Sequence, residues 1–324
     1  MSTAPATEAS RNPHTVTRYI LTQQQKYPNA KGDLSIILNS VTLACKIISA
    51  AANSAGIFQR YGVQRLKDEL ISLPESADYN LSGDHEEAKK ESQGDGDEDD
   101  AKGGQKPQDD IRSFGYDTIY SSIAWCGKVP TMVSTLNTKI PIRVQPCDEP
   151  KYVLMFDPID GKKNIEINAS LGTIFGIYKV KDTAKPSDDD LLQPGSALVA
   201  AGYALYGDAT LMVLSFGDEV NGFTLDPSIG EFVLTHKNIR IPEEGEFYSI
   251  NEGYAEEWNV AVSEYVAKCK KPDKGSPKKS RYIGCMVADV HRCLIKGGIY
   301  LYPENKKYPN GKLNLQCECN PLAF

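Results

Sequence analysis

Asp157-Pro158-Ile159-Asp160-Gly161 sets two carboxylates three residues apart at the end of an apolar run, Tyr152-Val153-Leu154-Met155-Phe156. The run is unbroken and β-rich, so it predicts a buried strand, and Pro158 and Gly161 then force a turn at its end. Two carboxylates on a rigid element can converge on one hard cation such as Mg²⁺. Backbone N–H groups from Gly161 to Asn164 would face a phosphate if a helical turn starts there. The same five residues also fit a strand end with a polar turn and no chemistry.

Around this stretch the pattern supplies elements to hold it. Thr17 to Gln25 and Asp33 to Ala55 read as helices, the second with Leu34, Ile37, Val41, Ala44, Ile48 and Ala51 at helical spacing and Gly56 past its end. Residues 111–180 alternate helix and strand. From about 197 apolar segments alternate with Gly and Pro turns, and Ala255 to Lys271 adds a helix. This is an α/β or α+β chain with two sheets. Residues 1–16 read as a disordered N-terminus. Residues 76–108 read as a low-complexity acidic loop without apolar anchors. Its DGDEDD run lacks the glycine and terminal glutamate of a calcium loop.

The 324 residues, 40% hydrophobic and 24% charged, suit one large or two ordinary soluble domains. Residues 84–110 carry eleven acidic residues against four lysines, which accounts for the whole net charge of −7. That balance suggests no nucleic-acid surface. No apolar run is expected to span a membrane, and the polar start predicts a cytoplasmic chain without a signal peptide. Eight cysteines lack CxxC spacing and read as reduced core thiols, with Cys317 and Cys319 expected to share one face of a strand.

The longer stretch DPIDGKKNIEINASLGTIFGIY resembles the active-site signature of the fructose-1,6-bisphosphatases (class 1), in the Mg²⁺-dependent sugar-phosphatase superfamily shared with inositol monophosphatases. That family reads DPLDGSSNID followed by SIGTIFGIY. Further matches are LQPGSALVAAGYALYG (192–207), FTLDPSIGEFVLT (223–235), YSINEGYA (248–255), RYIGCMVADVHR (281–292) and GGIYLYPENKKYPNGKL (297–313). The resemblance implies a five-layered αβαβα sandwich, usually a homotetramer, with the active site between its halves. The expected division is an N-terminal metal and AMP-type domain over 17–196 and a sugar-phosphate-binding domain over 197–324. The second is expected to be incomplete, since the chain stops at Phe324 within CECNPLAF, where the family continues.

The resemblance implies metal roles for Asp157, Asp160 and Glu318, enough for one Mg²⁺ site. Asn251, Tyr254, Arg281, Tyr282 and Tyr302 match the family's cradle for the distal phosphate, its arginine coming from a neighbouring subunit, while Met286 and Lys312 match sugar contacts. Lys31, Gly32, Asp33, Leu34 and Ser35, with Lys151, Tyr152 and Lys179, match an AMP inhibitor site. Lysine in place of the family's arginine at 179 loses a bidentate fork.

Three departures fall at the reaction centre. The family's VSEE, whose glutamates bind a second metal, is here Val133-Ser134-Thr135-Leu136. Lys162 and Lys163 replace a Ser-Ser pair beside the scissile phosphate, either as solvated turn lysines or as ammonium groups standing in for a cation and holding an anion. The mobile catalytic loop is replaced by the acidic segment, leaving Asp110 as the candidate base. His291 reads as structural. Two functions follow: a fructose-1,6-bisphosphatase hydrolysing the 1-phosphate in gluconeogenesis, or a silent paralogue that binds sugar bisphosphate or monophosphate, and AMP, or joins an active subunit in a hetero-oligomer. Inositol-phosphatase activity is disfavoured by the motifs from Asn251 to Lys312.

Overall fold

The computed structural model describes residues 13–26, 31–54, 107–147 and 149–324, with backbone alone at 107–110 and at 139. The acidic segment expected as a loop lies outside the described residues up to 106, and from Pro107 the chain is already helical.

Three helices lie at the N-terminal end: α1 (Val16–Gln25), α2 (Asp33–Asn53) and α3 (Pro107–Ala124). The Thr15 hydroxyl accepts from Arg18 N–H and starts α1, while Gly32 at φ +87° turns the chain into α2. Helix α2 is long and apolar enough to cross a membrane by length and composition, contrary to the expectation that no run would be. Its apolar face, with Ile37, Val41, Ala44, Cys45 and Ile48, is instead buried in the core.

An eight-stranded sheet follows: β1 (Thr131–Ser134), β2 (Asn137–Arg143), β3 (Tyr152–Asp160), β4 (Leu171–Lys179), β5 (Leu198–Tyr206), β6 (Thr210–Ser215), β7 (Val220–Asp226) and β8 (Glu231–His236), in the order β2-β1-β3-β4-β5-β6-β7-β8. Neighbours are antiparallel except β1 and β3, which run parallel. Both faces of the central strands are covered, which is why β3 and β4 read as continuous apolar runs. Leu154 and Phe156 enter the core beneath α1–α3, while the alternate residues Val153 and Met155 enter a second core on the opposite face.

A three-stranded parallel sheet is built from β9 (Phe247–Ser249), β10 (Lys279–Ser280) and β11 (Ile299–Tyr300), in the order β10-β9-β11. Helix α4 (Val260–Lys270) packs against it through Val266 and Cys269, which meet Tyr248 and Ile250. Helix α5 (Met286–Lys296) lies between the sheets, against β4 and β5 on one side and β9 and β11 on the other. The order is helix, large sheet, helix, small sheet, helix, which is the expected five-layered sandwich.

Some boundaries differ from the sequence reading. The expected helix from Ala255 to Lys271 is a 3₁₀ segment, Glu252–Glu257, and then α4, because the Asn259 side chain accepts from Val262 N–H at 3.0 Å and starts a new helix. Cys317 and Cys319 do not share a strand face. They lie in a π-helical turn, Leu315–Cys319, that runs into α6 (Asn320–Ala323), started by the Asn314 side chain accepting from Cys317 N–H. Cys317 is buried and Cys319 half-buried, and all the described cysteines are free thiols. Residues 196 and 197 fall between β4 and β5, which are hydrogen-bonded neighbours, so the large sheet runs unbroken across that point.

Candidate active site

The strand continues past the apolar run, so β3 carries both aspartates before the chain turns at Gly161, φ +76°. Pro158 therefore sits inside the strand and does not end it. A bulge makes this possible: Asp157 lies opposite Ile174 and Asp160 opposite Gly172, so three steps on β3 match two on β4. Residues three apart on a regular strand point to opposite faces, and the extra residue cancels that alternation. Both carboxylates therefore line one cleft of about 850 Å³.

The cleft lies where the large sheet, α5 and the small sheet meet. Thr135 and Leu136, at the β1–β2 turn, form one wall, and Lys162 and Lys163 lie just past Gly161 at the start of a 3₁₀ segment, Lys162–Ile167. The same cleft is also lined by Asn251, Tyr254, Tyr282, Met286, Tyr302, Lys312 and Glu318. Arg112, Tyr300, Lys307, Tyr308 and Asn314 also line it, and the sequence reading named none of these as site residues. For Arg112 the one signal in the sequence is its place two residues after the candidate base Asp110. Asp110 lies in α3, and its side chain is outside the described residues.

The Thr135 hydroxyl donates to Asp157 Oδ1 at 2.6 Å and accepts a long 3.4 Å contact from Arg112 Nη2. Asp160 Oδ2 accepts from Val287 N–H at 2.8 Å and from the Cys285 thiol at 3.1 Å, and Glu318 Oε2 accepts from Asn314 N–H. Burial raises the Asp157 carboxyl, while the Arg112 guanidinium and the Thr135 hydrogen bond act against that rise. Burial, then the Asp157 charge, pushes Asp160 up to about 7 and Glu318 up to about 8. Three acidic groups in one cleft, each desolvated by burial, cannot all ionise freely.

The fit to a divalent ion is poor. Mg²⁺ needs near-octahedral oxygen donors, yet among the described residues no three acidic, histidine or cysteine side chains converge as a metal-binding group. The expected set Asp157, Asp160 and Glu318 lines the cleft without forming such a group, and each of the three already has one oxygen accepting from a protein donor.

The other expected residues lie elsewhere. Arg281 is exposed outside the cleft, its guanidinium donating to Ser280 O at 2.7 Å and lying 5.9 Å from the Phe247 ring centre. Asp33, at the start of α2, pairs with Lys151 at 2.6 Å and Lys128 at 3.3 Å, and both lysines also meet Glu149. Tyr152 lies opposite Lys179 across the β3–β4 ladder. The Ser35 hydroxyl is turned to Gln24 Oε1 at 2.7 Å, and Lys31 is exposed. His291 lies away from the cleft, with Nδ1 2.8 Å from the Tyr203 hydroxyl.

The sequence matches the model described as "Fructose-1-6-bisphosphatase, N-terminal domain" over residues 14–69 and 92–237, and its C-terminal counterpart over residues 241–324. The chain belongs to the fructose-1,6-bisphosphatase family. It is 42% identical over 311 residues to the cytosolic fructose-1,6-bisphosphatase of Arabidopsis thaliana, covering 96% of this chain and 81% of that protein. The cytosolic enzyme of Brassica napus is 42% identical over 318 residues, covering 98% and 84%. The crystal structure of Leishmania major fructose-1,6-bisphosphatase in its T-state superposes with a TM-score of 0.75 at 31% identity, over 96% of this chain and 84% of that one. The two family models meet between residues 237 and 241, at the end of β8 and so at the edge of the large sheet, which is a different division from the expected 196/197.

Proposed function

We propose that this protein is a cytosolic sugar-phosphate-binding member of the fructose-1,6-bisphosphatase family whose hydrolysis of the 1-phosphate is strongly impaired. The reading rests on one observation: a single cleft joins Asn251, Tyr254, Tyr282, Tyr302, Met286 and Lys312 to the Asp157–Asp160 strand, with Thr135 and Leu136 on its wall. Tyrosine, asparagine and lysine donors suit phosphate and hydroxyl oxygens. Lys162 and Lys163 add positive charge at the same end of the cleft as Asp160 and suit the second phosphate. Thr135 is engaged with Asp157, and Leu136 offers no oxygen, so nothing on that wall can take a proton from an attacking water.

The family resemblance supports a role for Arg281 in a partner subunit's site, and with it an oligomer, either of itself or with an active relative. The group at Lys31–Ser35, Lys151, Tyr152 and Lys179 is the counterpart of an AMP-type effector site. Here Lys151 is already neutralised by Asp33 and Glu149, which argues for weaker AMP binding.

Losing both an activating ion and a base removes roughly 10³-fold or more of turnover. The test is calorimetry with fructose 1,6-bisphosphate and fructose 6-phosphate alongside a phosphate-release assay. Binding with little or no phosphate release is expected. Family-like turnover by the unmodified chain would refute the impairment. The combined change Thr135→Glu, Leu136→Glu, Lys162→Ser and Lys163→Ser is expected to raise phosphate release.

A further inference from the structure

The family resemblance leads one to expect divalent ions among the carboxylates of this cleft, and the cleft holds a different cation, one that the chain itself supplies. Arg112 reaches in from α3, touches Thr135 and acts electrostatically on both Asp157 and Glu318. Its Nε is buried with no hydrogen-bond partner. Leaving a buried donor unpaired is costly, so hydrogen-bond geometry does not explain this placement. The charge does, because the Asp157, Asp160 and Glu318 carboxyls line the same cleft and the guanidinium acts on Asp157 and Glu318.

The carboxylates are also arranged for protein donors. Thr135 takes Asp157 Oδ1, the Val287 amide and the Cys285 thiol take Asp160 Oδ2, and the Asn314 amide takes Glu318 Oε2. These donors compete with a divalent ion for one oxygen of each carboxylate, and the guanidinium repels that ion through its charge. Leu136 adds an apolar side chain to the same wall. A planar guanidinium suits phosphate oxygens well, so it can neutralise the acids in the free protein and still favour an anionic ligand.

We propose that Arg112 is the resident counter-cation of this cleft: it excludes divalent metal ions from Asp157 and Glu318 and makes ligand binding there independent of metal. The ligand half of this statement rests on the sugar-phosphate reading above, whereas the exclusion half does not.

Mn²⁺ titration of the full chain, stripped with EDTA and followed by the paramagnetic resonance of free Mn²⁺, tests the exclusion directly. Asp157→Asn identifies ions bound in the cleft and leaves any weak background on the acidic 84–110 stretch unchanged. The wild-type chain is expected to show no Asp157-dependent Mn²⁺ binding below about 1 mM, an affinity far weaker than a built cation site gives. Arg112→Met is expected to tighten binding at least ~10-fold, and Arg112→Lys to keep the exclusion because it keeps the charge. Asp157-dependent binding by the wild type at tens of micromolar would overturn the proposal, as would an Arg112→Met chain that binds Mn²⁺ no better. If Arg112→Met does not fold, wild type against Asp157→Asn still decides. Calorimetry with fructose 1,6-bisphosphate, in EDTA and then in Mg²⁺, is expected to give the same affinity. A requirement for Mg²⁺ overturns metal independence, and absence of binding in both buffers overturns the sugar-phosphate reading while the Mn²⁺ result stands.

Discussion

Asp289 has no solvent exposure, and it is held by three groups from three places: the Ser249 hydroxyl at 2.7 Å, Ile283 N–H at 3.0 Å and Arg292 Nη2 at 2.8 Å. It ties α5 to β9 and to the loop before α5. Asp289→Ala removes the acceptor of a backbone amide, a hydroxyl and a half-buried guanidinium that keeps Arg281 O at 3.2 Å, so a loss of about 3 kcal/mol is expected in urea unfolding. A change below about 1 kcal/mol would show that water replaces the carboxylate there. His291, two residues on, faces the other way and meets Tyr203. Burial, with the His236 charge adding to it, lowers its imidazole from 6.5 to about 4. Between those values the unfolded chain takes up a proton that the native chain does not. This contribution to stability is therefore fully present above pH 6.5 and is lost as pH falls through about 4, on the order of 3 kcal/mol in all. His291→Gln is expected to flatten the dependence of the urea midpoint on pH across that window, and an unchanged slope would assign the acid sensitivity to other groups.

Close approach of elements sets the packing around the cleft. A Cβ at Gly172, in β4, would sit 2.5 Å from Val287 Cβ, so α5 rests directly on the backbone of that strand. Gly172→Ala must push the helix off the sheet, at a cost of about 1–3 kcal/mol, and is expected to loosen the cleft wall with it. Thermal unfolding and sugar-phosphate affinity measure the two effects separately, and a fully stable variant would mean that α5 can shift freely. The contrast with what the sequence made legible is clearest in β3. Its apolar run announced a buried strand, and the two aspartates drew attention as a pair. The bulge was not legible, because it is a property of the ladder with β4 and leaves no composition signal of its own. Without it Pro158 looked like the end of the strand. Cys317 and Cys319 misled for a related reason: three residues of alternation fit a strand or a helical turn equally, and the deciding cap came from Asn314. Arg112 is not legible in the sequence because its hydrogen-bond partner Thr135 and the Asp157 charge it acts on lie 23 and 45 residues away, and only the folding of α3 against the β1–β3 edge joins them.

At the scale of the molecule, the sandwich leaves several large apolar side chains on its outside: Leu21 of α1 and Ile36 and Leu43 of α2 are each about half exposed. Arg281, exposed on the small-sheet half, is also free to reach beyond its own subunit. Light scattering at working concentration is expected to give a dimer or tetramer. A strictly monomeric mass would remove the shared-site role proposed for Arg281. One contact described above has a separate use. The amide of Val287, the second residue of α5, donates across the interlayer space to Asp160 Oδ2. That single N–H belongs to the helix wedged between the sheets, yet its partner is a group of the cleft. Its exchange with deuterium and its nitrogen chemical shift therefore form a native gauge of the cleft, readable without a label or an assay. Whatever ligand draws Asp160 away will speed exchange at Val287, and whatever holds Asp160 in place will slow it.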